Sequence, residues 1–274
     1  MNRIYPTENT GLPMKLGIMQ PYLFPYLGHF ALIAAVHEWI VFDVTQYTKR
    51  TWINRNRVLR PEGGWQYISM PLAKASSQMS ISEATIGKSH KQERYILGKL
   101  SHYRKRAPHY TQTCEIVRHT FAGLVDDSLV SLNVAGLRVI CDYLGLPFRY
   151  RICSQLALDW PNDLTAGRWA PWICANLSAD GYVNPISGRG LFDPADFSDA
   201  GITLEFLEFA PFIYDTSPYE FEKSLSILDV LMWNTPEAIR QAIRSNSSLV
   251  SGPSGDPGDK VGGSNQPRGR GRQT

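Results

Sequence analysis

The sequence predicts an α/β fold: a mostly parallel sheet with helices on both faces and a helical insertion in the middle of the chain. Short apolar runs typical of buried strands alternate with segments whose apolar residues recur at helical spacing. At the start, strands are predicted at 15–19 and 39–44 with a helix at 29–37 between them, and a crossover of this kind produces a parallel pair. From about 89 to 145 the patterns are helical, which predicts the insertion.

The other elements follow in chain order. Strands are predicted at 67–72 and 79–86, before the insertion. The insertion holds three amphipathic segments, of which Pro108 ends the first and Gly145 ends the third. After the insertion we predict strands at 148–154, 182–185 and 202–209, and helices at 165–179, 221–233 and 236–243.

The two ends of the chain differ in composition from the rest. Residues 1–13 are polar and irregular, and we interpret them as a flexible N-terminal extension. Residues 14–244 are predicted to form one domain. From Ser245 onward the chain has seven Gly, six Ser and three Pro and no aromatic residue, so 245–274 is predicted to be a disordered tail.

Composition excludes several classes of protein. The chain has 274 residues, 43% hydrophobic and 11% aromatic, which suffices for a sizeable core and excludes disorder throughout. No run approaches the roughly 18–20 apolar residues of a membrane helix, and the first residues lack an apolar signal-peptide core, so a cytoplasmic location is predicted. The net charge is +3, of which four cations and two acids in the tail supply +2, so bulk charge does not indicate nucleic-acid binding by the rest of the chain. The four cysteines lack the spacing of metal or disulfide frameworks, and no metal site is predicted.

The first polar stretch, QPYLFPYLGHF at 20–30, follows the first strand. Loops at the carboxyl ends of strands bind ligands in open α/β folds. Prolines and aromatic residues make this loop rigid, and backbone N–H groups near Gly28 and His29 would face an anion at a helix N-terminus. The alternative is a packed aromatic connector in which His29 only caps the helix.

The second polar stretch, DVTQYTKRTWINRNR at 43–57, has four cations and no acid after Asp43. Arginine forks bind phosphate or carboxylate bidentately, and amide side chains both donate and accept, so the composition suits a phosphorylated or nucleotide-linked ligand. The stretch begins at the end of the second strand, so we expect it to share a cleft with the first stretch. The alternatives are a solvated basic face and, for Asp43, a structural acid at the strand end.

A third stretch, YVNPISGRGLF at 182–192, places Arg189 between Gly188 and Gly190 after a short strand. Such a loop lets the backbone approach a ligand closely and would form a third wall of the cleft. The alternative is an ordinary glycine-rich turn.

Five blocks of sequence resemble, in their order, the WbqC-like protein family over about 15–234. They are QPYLFPYLGHF, FDVTQYTKRTWINRN, HYRKRAPHY, GYVNPISGRGLFDPADF and LSILDVLMWN. The family is associated with bacterial O-antigen and other surface-glycan biosynthesis. The resemblance therefore implies a transferase that modifies an amino sugar by acyl or aminoacyl transfer. The residues that fit the family pattern are Gln20, Pro21, Pro25, Gly28, Gln46, Lys49, Arg50, Asn54, Arg55, Asn56, Asn184, Pro185 and Gly188.

The segment Tyr26-Leu27-Gly28-His29 is also similar to the HxGH signature of nucleotidylyltransferases and pantothenate-synthetase-like ligases, with Tyr26 in place of the first histidine. In those enzymes the motif's histidines stabilise a nucleotide triphosphate at a helix N-terminus. The likeness implies that His29, with Lys49 and Arg50, neutralises phosphate charge, and it is the one indication of a cofactor, which would be ATP.

The predicted function is a transferase of surface-glycan biosynthesis acting on an amino sugar or a nucleotide-linked sugar. The alternatives are an ATP-dependent amide-forming enzyme of nucleotidylyltransferase type and a non-catalytic module that binds a phosphorylated glycan or nucleotide. The predicted catalytic residues are His29, Asp43 and Lys49, with His29 or Asp43 as the base. The predicted substrate-binding residues are Gln20, Tyr22, Tyr26, Gly28, Gln46, Tyr47, Arg50, Trp52, Asn54, Arg55, Asn56, Asn184, Gly188 and Arg189.

Overall fold

The structure, a computed structural model, describes residues 13–252 apart from residues 75, 77, 88 and 162. In chain order its elements are β1 (Lys15–Met19), α1 (Leu27–Ala34), β2 (Glu38–Val41), β3 (Arg55–Leu59), β4 (Trp65–Ser69), β5 (Leu72–Lys74), β6 (Thr85–Ile86), α2 (Ser89–Leu100), α3 (Tyr110–Ala122), α4 (Leu129–Leu144), β7 (Tyr150–Ile152), α5 (Trp169–Asn176), β8 (Gly181–Pro185), α6 (Pro194–Ser198), β9 (Thr203–Phe209), α7 (Ile227–Trp233), α8 (Pro236–Asn246) and β10 (Ser247–Ser251). The predicted α/β class is confirmed.

Six strands form the central sheet, in the order β10–β9–β8–β1–β2–β7. Neighbouring strands are parallel except for β9 and β10, which are antiparallel. Counted along the chain, the parallel strands lie in the order third, second, first, fourth, fifth, so the strand order reverses between β1 and β8. Open α/β sheets bind ligands at the carboxyl ends of the strands beside such a reversal. The topology therefore directs attention to the edge beyond Met19 and Pro185.

Side chains of the sheet alternate between two hydrophobic cores. Trp39 and Val41 belong to the larger core, which includes residues of α1, α4, α7 and α8. Ile40, which lies between them in sequence, belongs to the smaller core against α5 and α6. Because alternate residues of a strand point to opposite faces, helices cover the sheet on both sides, as predicted.

Helices α2, α3 and α4 form the predicted insertion. Ser128 caps α4, since its hydroxyl accepts hydrogen bonds from the backbone N–H groups of Val130 (3.2 Å) and Ser131 (3.4 Å). The helix ends at Gly145, whose φ of +63° is the left-handed conformation that glycine adopts without strain. Helix α4 contacts both α3 and α8, so the insertion packs onto the core beside the sheet.

A hairpin of β3 and β4 lies between β2 and the insertion, and it was not predicted. It turns at Gly63 and Gly64, both of which have positive φ (+103° and +67°). The strand predicted at 67–72 is divided between this hairpin and β5.

The strand predicted at 79–86 is wrong over most of its length. The Ser80 side chain and the Glu83 carboxylate form a capping box around a 3-10 helix at Ile81–Glu83. Only Thr85–Ile86 is strand. The local hydrogen bonds of the capping box thus override a loosely kept alternation of apolar residues.

The chain beyond Ser245 begins as regular structure. Helix α8 continues to Asn246, and β10 pairs antiparallel with β9 from Ser247 opposite Phe209 to Ser251 opposite Glu205. The prediction of a disordered tail is therefore wrong as far as Gly252, because an open sheet edge offers hydrogen bonds to a segment of linker-like composition. The rest of that tail and residues 1–12 lie outside the described residues. Within the part of the chain that is described, no helix is long and apolar enough to cross a membrane.

Candidate functional site

Two of the predicted polar stretches leave adjacent strands at the carboxyl edge of the sheet. Gln20 directly follows β1, and a short 3-10 helix at Ile186–Leu191 directly follows β8. Because β1 and β8 are neighbouring and parallel, both segments begin at the edge where the strand order reverses. The topology therefore places the beginnings of the first and third stretches next to each other at the carboxyl edge of the sheet.

The first and second stretches are in direct contact. The backbone N–H of Leu23 donates to the carbonyl of Trp52 (2.9 Å). The buried Asn56 amide donates from Nδ2 to the carbonyls of Leu23 (3.0 Å) and Phe24 (2.9 Å), and its Oδ1 accepts from the backbone N–H of Arg57 (2.8 Å). The two stretches lie side by side, and Asn56 holds them together rather than facing solvent.

Two further side chains join the same stretches. Asn133 of α4 donates from Nδ2 to the carbonyls of Pro21 (2.9 Å) and Ile53 (2.8 Å). Gln20 donates from Nε2 to the hydroxyl of Thr45 (3.1 Å). The insertion therefore fixes both loops from behind, and Gln20 stays half-buried at the sheet edge.

His29 lies inside the larger core's aromatic surroundings. It is 2% exposed, and its ring contacts Trp39 (centroids 4.8 Å apart) and Tyr22 (5.5 Å). Burial lowers the pKa of His29 to about 3, so the imidazole is neutral at physiological pH. Its Nε2 is buried without a hydrogen-bond partner in the described structure. These surroundings favour the packed-connector interpretation of the first stretch.

Tyr26 covers the N-terminus of α1. Its ring lies so close to Gly28 that a Cβ there would be 2.4 Å from a ring carbon, so glycine is required for this packing. Burial raises the pKa of both Tyr26 and Tyr22 above the ordinary value of 10, so both phenols are protonated at physiological pH. Tyr26 is 36% exposed.

Asp43 ties the end of β2 to the segment after β7. It is 1% exposed; Oδ1 accepts from the backbone N–H of Ser154 (2.9 Å) and Oδ2 accepts from the hydroxyl of Ser154 (2.6 Å). Both carboxylate oxygens are thus engaged inside the protein, which favours the interpretation of Asp43 as a structural acid.

Lys49 and Arg50 occupy an exposed turn. Neither forms an ion pair with a described residue. Arg50 has a φ of +61°, in the left-handed region. Gln46, also exposed, forms an isolated antiparallel bridge with Ser80.

Arg55 and Arg57 lie on the outer face of the β3–β4 hairpin and stack on aromatic rings. The Arg55 guanidinium is 4.2 Å from the ring centroid of Tyr67, and that of Arg57 is 5.1 Å from Trp65 and 5.4 Å from Trp52. We call Trp52, Arg55, Arg57, Trp65 and Tyr67 the arginine–aromatic surface. Neither guanidinium has a carboxylate partner among the residues described, and the Nε of each is buried without an acceptor.

Two predicted binding residues lie close to Arg55. Tyr47 is 3% exposed; burial raises the pKa of its phenol, and the charge of Arg55 offsets part of that rise. Asn54 donates from Nδ2 to the carbonyl of Met70 (3.1 Å), and its buried Oδ1 has no partner in the part of the chain described.

At the end of β8, Asn184 shapes the third stretch. The amide is 7% exposed, accepts from the Tyr182 hydroxyl at Oδ1 (2.8 Å) and donates from Nδ2 to the carbonyl of Pro185 (3.0 Å). Gly188 packs on this amide, since a Cβ there would be 2.1 Å from Nδ2. Arg189 is exposed, with its guanidinium 5.9 Å from the Phe206 ring.

Residues 20–241 match the model of the WbqC-like protein family. The chain belongs to this family. It is 30% identical over 221 residues to the uncharacterized protein Rv1507c of Mycobacterium tuberculosis, an alignment that covers 79% of this chain and 92% of that protein. No solved structure matches it. The resemblance identified in the sequence motifs is thus confirmed at the level of the family.

Three members of the arginine–aromatic surface of this WbqC-like chain were not among the predicted site residues: Arg57, Trp65 and Tyr67. The sequence did contain a signal for them, because EGGW at 62–65 places two glycines between two runs of strand formers, a pattern typical of a hairpin. The hairpin register puts Tyr67 opposite Arg57.

Cavity size does not identify the site of this WbqC-like chain. A cavity of about 600 Å³ opens on the helical insertion beside Arg104, Tyr110 and Arg118, where no strand end contributes. One of about 60 Å³ lies next to Tyr26 and Phe209, at the sheet edge. We favour the edge, because the carboxyl ends of parallel strands meet there beside the reversal of strand order. No cluster of three or more potential metal ligands occurs among the described residues.

Proposed function

We propose that this chain transfers an acyl or aminoacyl group to an amino sugar that carries a phosphate, such as a nucleotide-linked sugar, in the biosynthesis of a bacterial surface glycan. The observation that carries the proposal is a group of cations without acidic partners in the described structure, on loops and a hairpin anchored to the carboxyl edge of the parallel sheet. Unpaired guanidinium groups suit phosphate. Family membership supports the glycan context.

The exposed and half-buried polar residues are assigned to two roles, binding of phosphate and orientation of the sugar. Lys49, Arg50 and Arg55 hold phosphate, and Gln20 and Arg189 orient the sugar at the sheet edge. In the reaction the sugar amine attacks the carbonyl carbon of an activated acyl donor, a C–N bond forms, the bond to the leaving group breaks, and the amine proton passes to solvent. His29, Asp43 and Asn56 act as positioning residues, because their buried contacts hold the loops in place.

An ATP-dependent amide-forming enzyme is the second candidate function. It is favoured by the position of Tyr26–His29, which follows β1 and opens α1 beside the strand-order reversal. A non-catalytic phosphorylated-glycan or nucleotide binding module would use the same surfaces. For each of the three candidate functions we propose a cytoplasmic location.

One experiment separates these functions. The full chain is incubated with nucleotide-linked amino sugars, activated acyl donors, amino acids and ATP, and products are followed by mass spectrometry. Acylated sugar without ATP consumption supports the transferase, whereas product formed only with ATP hydrolysis supports the second candidate. Ligand-induced stabilisation without any product supports the binding module.

Two variants test the assignment of residues. Lys49→Ala and Arg55→Ala are each expected to weaken binding of the phosphate-bearing ligand about tenfold or more, since a hydrogen bond to a charged group contributes roughly 1.5–3 kcal/mol. Arg94→Ala, which removes an exposed cation from α2, is the matched control. Unchanged affinity in both test variants would remove the assignment.

A further inference from the structure

The two arginines of the hairpin form a repeated unit. In the β3–β4 register Arg55 pairs with Ser69, Arg57 with Tyr67, and Leu59 with Trp65. Each guanidinium therefore stacks on the aromatic ring that is diagonal to it on the neighbouring strand, Arg55 on Tyr67 and Arg57 on Trp65. Residues two apart on a strand have Cα atoms roughly 7 Å apart and side chains on the same face. The two guanidinium groups therefore lie on one face of the hairpin.

Stacking fixes these side chains before a ligand arrives. An arginine held against a ring loses less rotamer freedom on binding, and its in-plane N–H groups stay available for phosphate oxygens. The Nε of each arginine is already removed from water without an acceptor among the described residues. Arg57 makes one internal bond, from Nη2 to the carbonyl of Ser224 (3.3 Å), which orients the guanidinium without neutralising it.

The same surface offers ring faces at one end. Trp52 is 41% exposed and Trp65 is 37% exposed, and both lie beside Arg57. At the other end, Arg55 acts electrostatically on Tyr47, two residues beyond Thr45, the hydrogen-bond partner of Gln20. The surface thus places exposed indoles beside Arg57, while its Arg55 end is linked through Tyr47 and Thr45 to Gln20.

We infer that the arginine–aromatic surface binds the nucleoside diphosphate part of a nucleotide-linked sugar. The base stacks on Trp52 and Trp65, the two phosphates lie across Arg57 and Arg55, and the sugar extends toward Gln20. This inference rests on the proposed function and adds to it the class of the substrate and its direction in the site.

Titration calorimetry on the full chain tests the inference. The probes are inorganic pyrophosphate and the 5′-diphosphates of adenosine, guanosine, cytidine, uridine and thymidine. At least one nucleoside diphosphate is expected to bind more tightly than pyrophosphate, by about tenfold, because stacking of a base on an aromatic ring contributes roughly 1–3 kcal/mol. Arg55→Ala and Arg57→Ala are each expected to raise its Kd tenfold or more.

Matched variants separate the parts of the surface. Arg60→Ala removes a cation from the same hairpin, but one that already contacts Glu62 (3.6 Å) and the carbonyl of Gly63 (3.1 Å), so Kd should stay within twofold. Arg57→Lys keeps the charge and loses the fork, and it should bind more weakly than wild type. Trp65→Leu should bring the nucleoside diphosphate down to the affinity of pyrophosphate. Thermal unfolding of each variant confirms that it is folded.

Three binding results would each overturn the inference: no binding of any probe to the wild-type chain, unchanged Kd in both alanine variants, or tighter binding of a single-stranded oligonucleotide that is lost in the same variants. Turnover of an amino sugar bearing a single phosphate, with no diphosphate bound, would leave the proposed function standing and remove this inference. Diphosphate binding that depends on Arg55 and Arg57, without turnover of any sugar, would support this inference and contradict the proposed function.

Discussion

The polar side chains of the two early loops divide into an inward set and an outward set. The inward set is His29, Asp43 and Asn56, each at most 4% exposed. The outward set is Lys49, Arg50, Trp52 and Arg55, which are exposed or half-buried. Outward residues lie between inward ones along the chain, and Arg55 directly precedes Asn56, so a residue's position in a polar motif does not tell whether its side chain serves the fold or a ligand. Burial does: each inward side chain is at most 4% exposed, whereas each outward one reaches solvent.

The strongest test of the inward set is Asn56→Ala. The change leaves the carbonyl of Leu23 without a buried donor and removes the acceptor of the Arg57 N–H. The carbonyl of Phe24 loses one of its two donors and keeps the Ser226 hydroxyl (2.7 Å). We therefore expect a loss of about 2–4 kcal/mol in the free energy of unfolding. Denaturant unfolding measures it. Asn176→Ala is the control, since that exposed amide bonds to the carbonyl of Trp172 and to no other described residue, and it should cost under about 0.5 kcal/mol. Equal losses in the two variants would contradict the division.

His29 should make the protein less stable in acid. The folded-state pKa is about 3 and the ordinary value is 6.5, so below pH 6.5 the unfolded chain takes up a proton that the folded chain excludes. At roughly 1.4 kcal/mol per pKa unit, lowering the pH from 7 to 5 should reduce the free energy of unfolding by about 2 kcal/mol. His29→Phe should abolish this part of the pH dependence, which denaturant unfolding at several pH values would measure. An unchanged pH profile in the variant would show that His29 is not buried in the folded chain and does not belong to the inward set.

Asp229 should have the opposite pH dependence. This fully buried carboxylate accepts hydrogen bonds from Tyr103 and from Tyr214 (2.6 Å), yet burial raises its pKa from 3.8 to about 6. Its stabilisation is complete below pH 3.8 and is lost as the pH rises through 6, so from pH 7 to 5 it should add about 1 kcal/mol.

Between pH 7 and 5 the contributions of His29 and Asp229 partly cancel in the wild-type chain. Asp229→Asn should show the acid loss caused by His29 without this offset, and the double variant with His29→Phe should lack both contributions. A variant Asp229→Asn with the same profile as wild type would show that the carboxylate is not buried as described.

The sequence was sufficient for the parts of the fold that depend on local pattern. β1, α1 and β2 were predicted because their apolar residues are spaced regularly, and their bounds differ from the prediction by a few residues. The β3–β4 hairpin was missed, although its alternation would have placed Asn56 on the face opposite to Arg55 and Arg57. Prediction of strand β3 would therefore have identified Asn56 as an inward residue and the two arginines as outward ones.

Partners that lie far away in sequence could not be predicted from a single chain. Asp43 bonds to Ser154, 111 residues later, and Asp229 bonds to Tyr103, 126 residues earlier. Nothing in the residues around Asp43 distinguishes a carboxylate with such a partner from a catalytic base. For the same reason the arginines of the hairpin looked like any solvated basic run until the rings of Trp65 and Tyr67 were placed beside them.

The smallest expected effect concerns the outward residue Arg50. Its φ of +61° strains any residue other than glycine, so Arg50→Gly should relax the turn, while the greater freedom of glycine in the unfolded chain offsets part of the gain. We expect a net stabilisation of about 0.5 kcal/mol relative to Arg50→Ala, which removes the same charge without relaxing the backbone. Thermal unfolding of the two variants measures this difference. Both should weaken phosphate binding equally, because the charge is lost in each; a difference in affinity would show that the conformation of the turn, and not only its charge, contributes to the site.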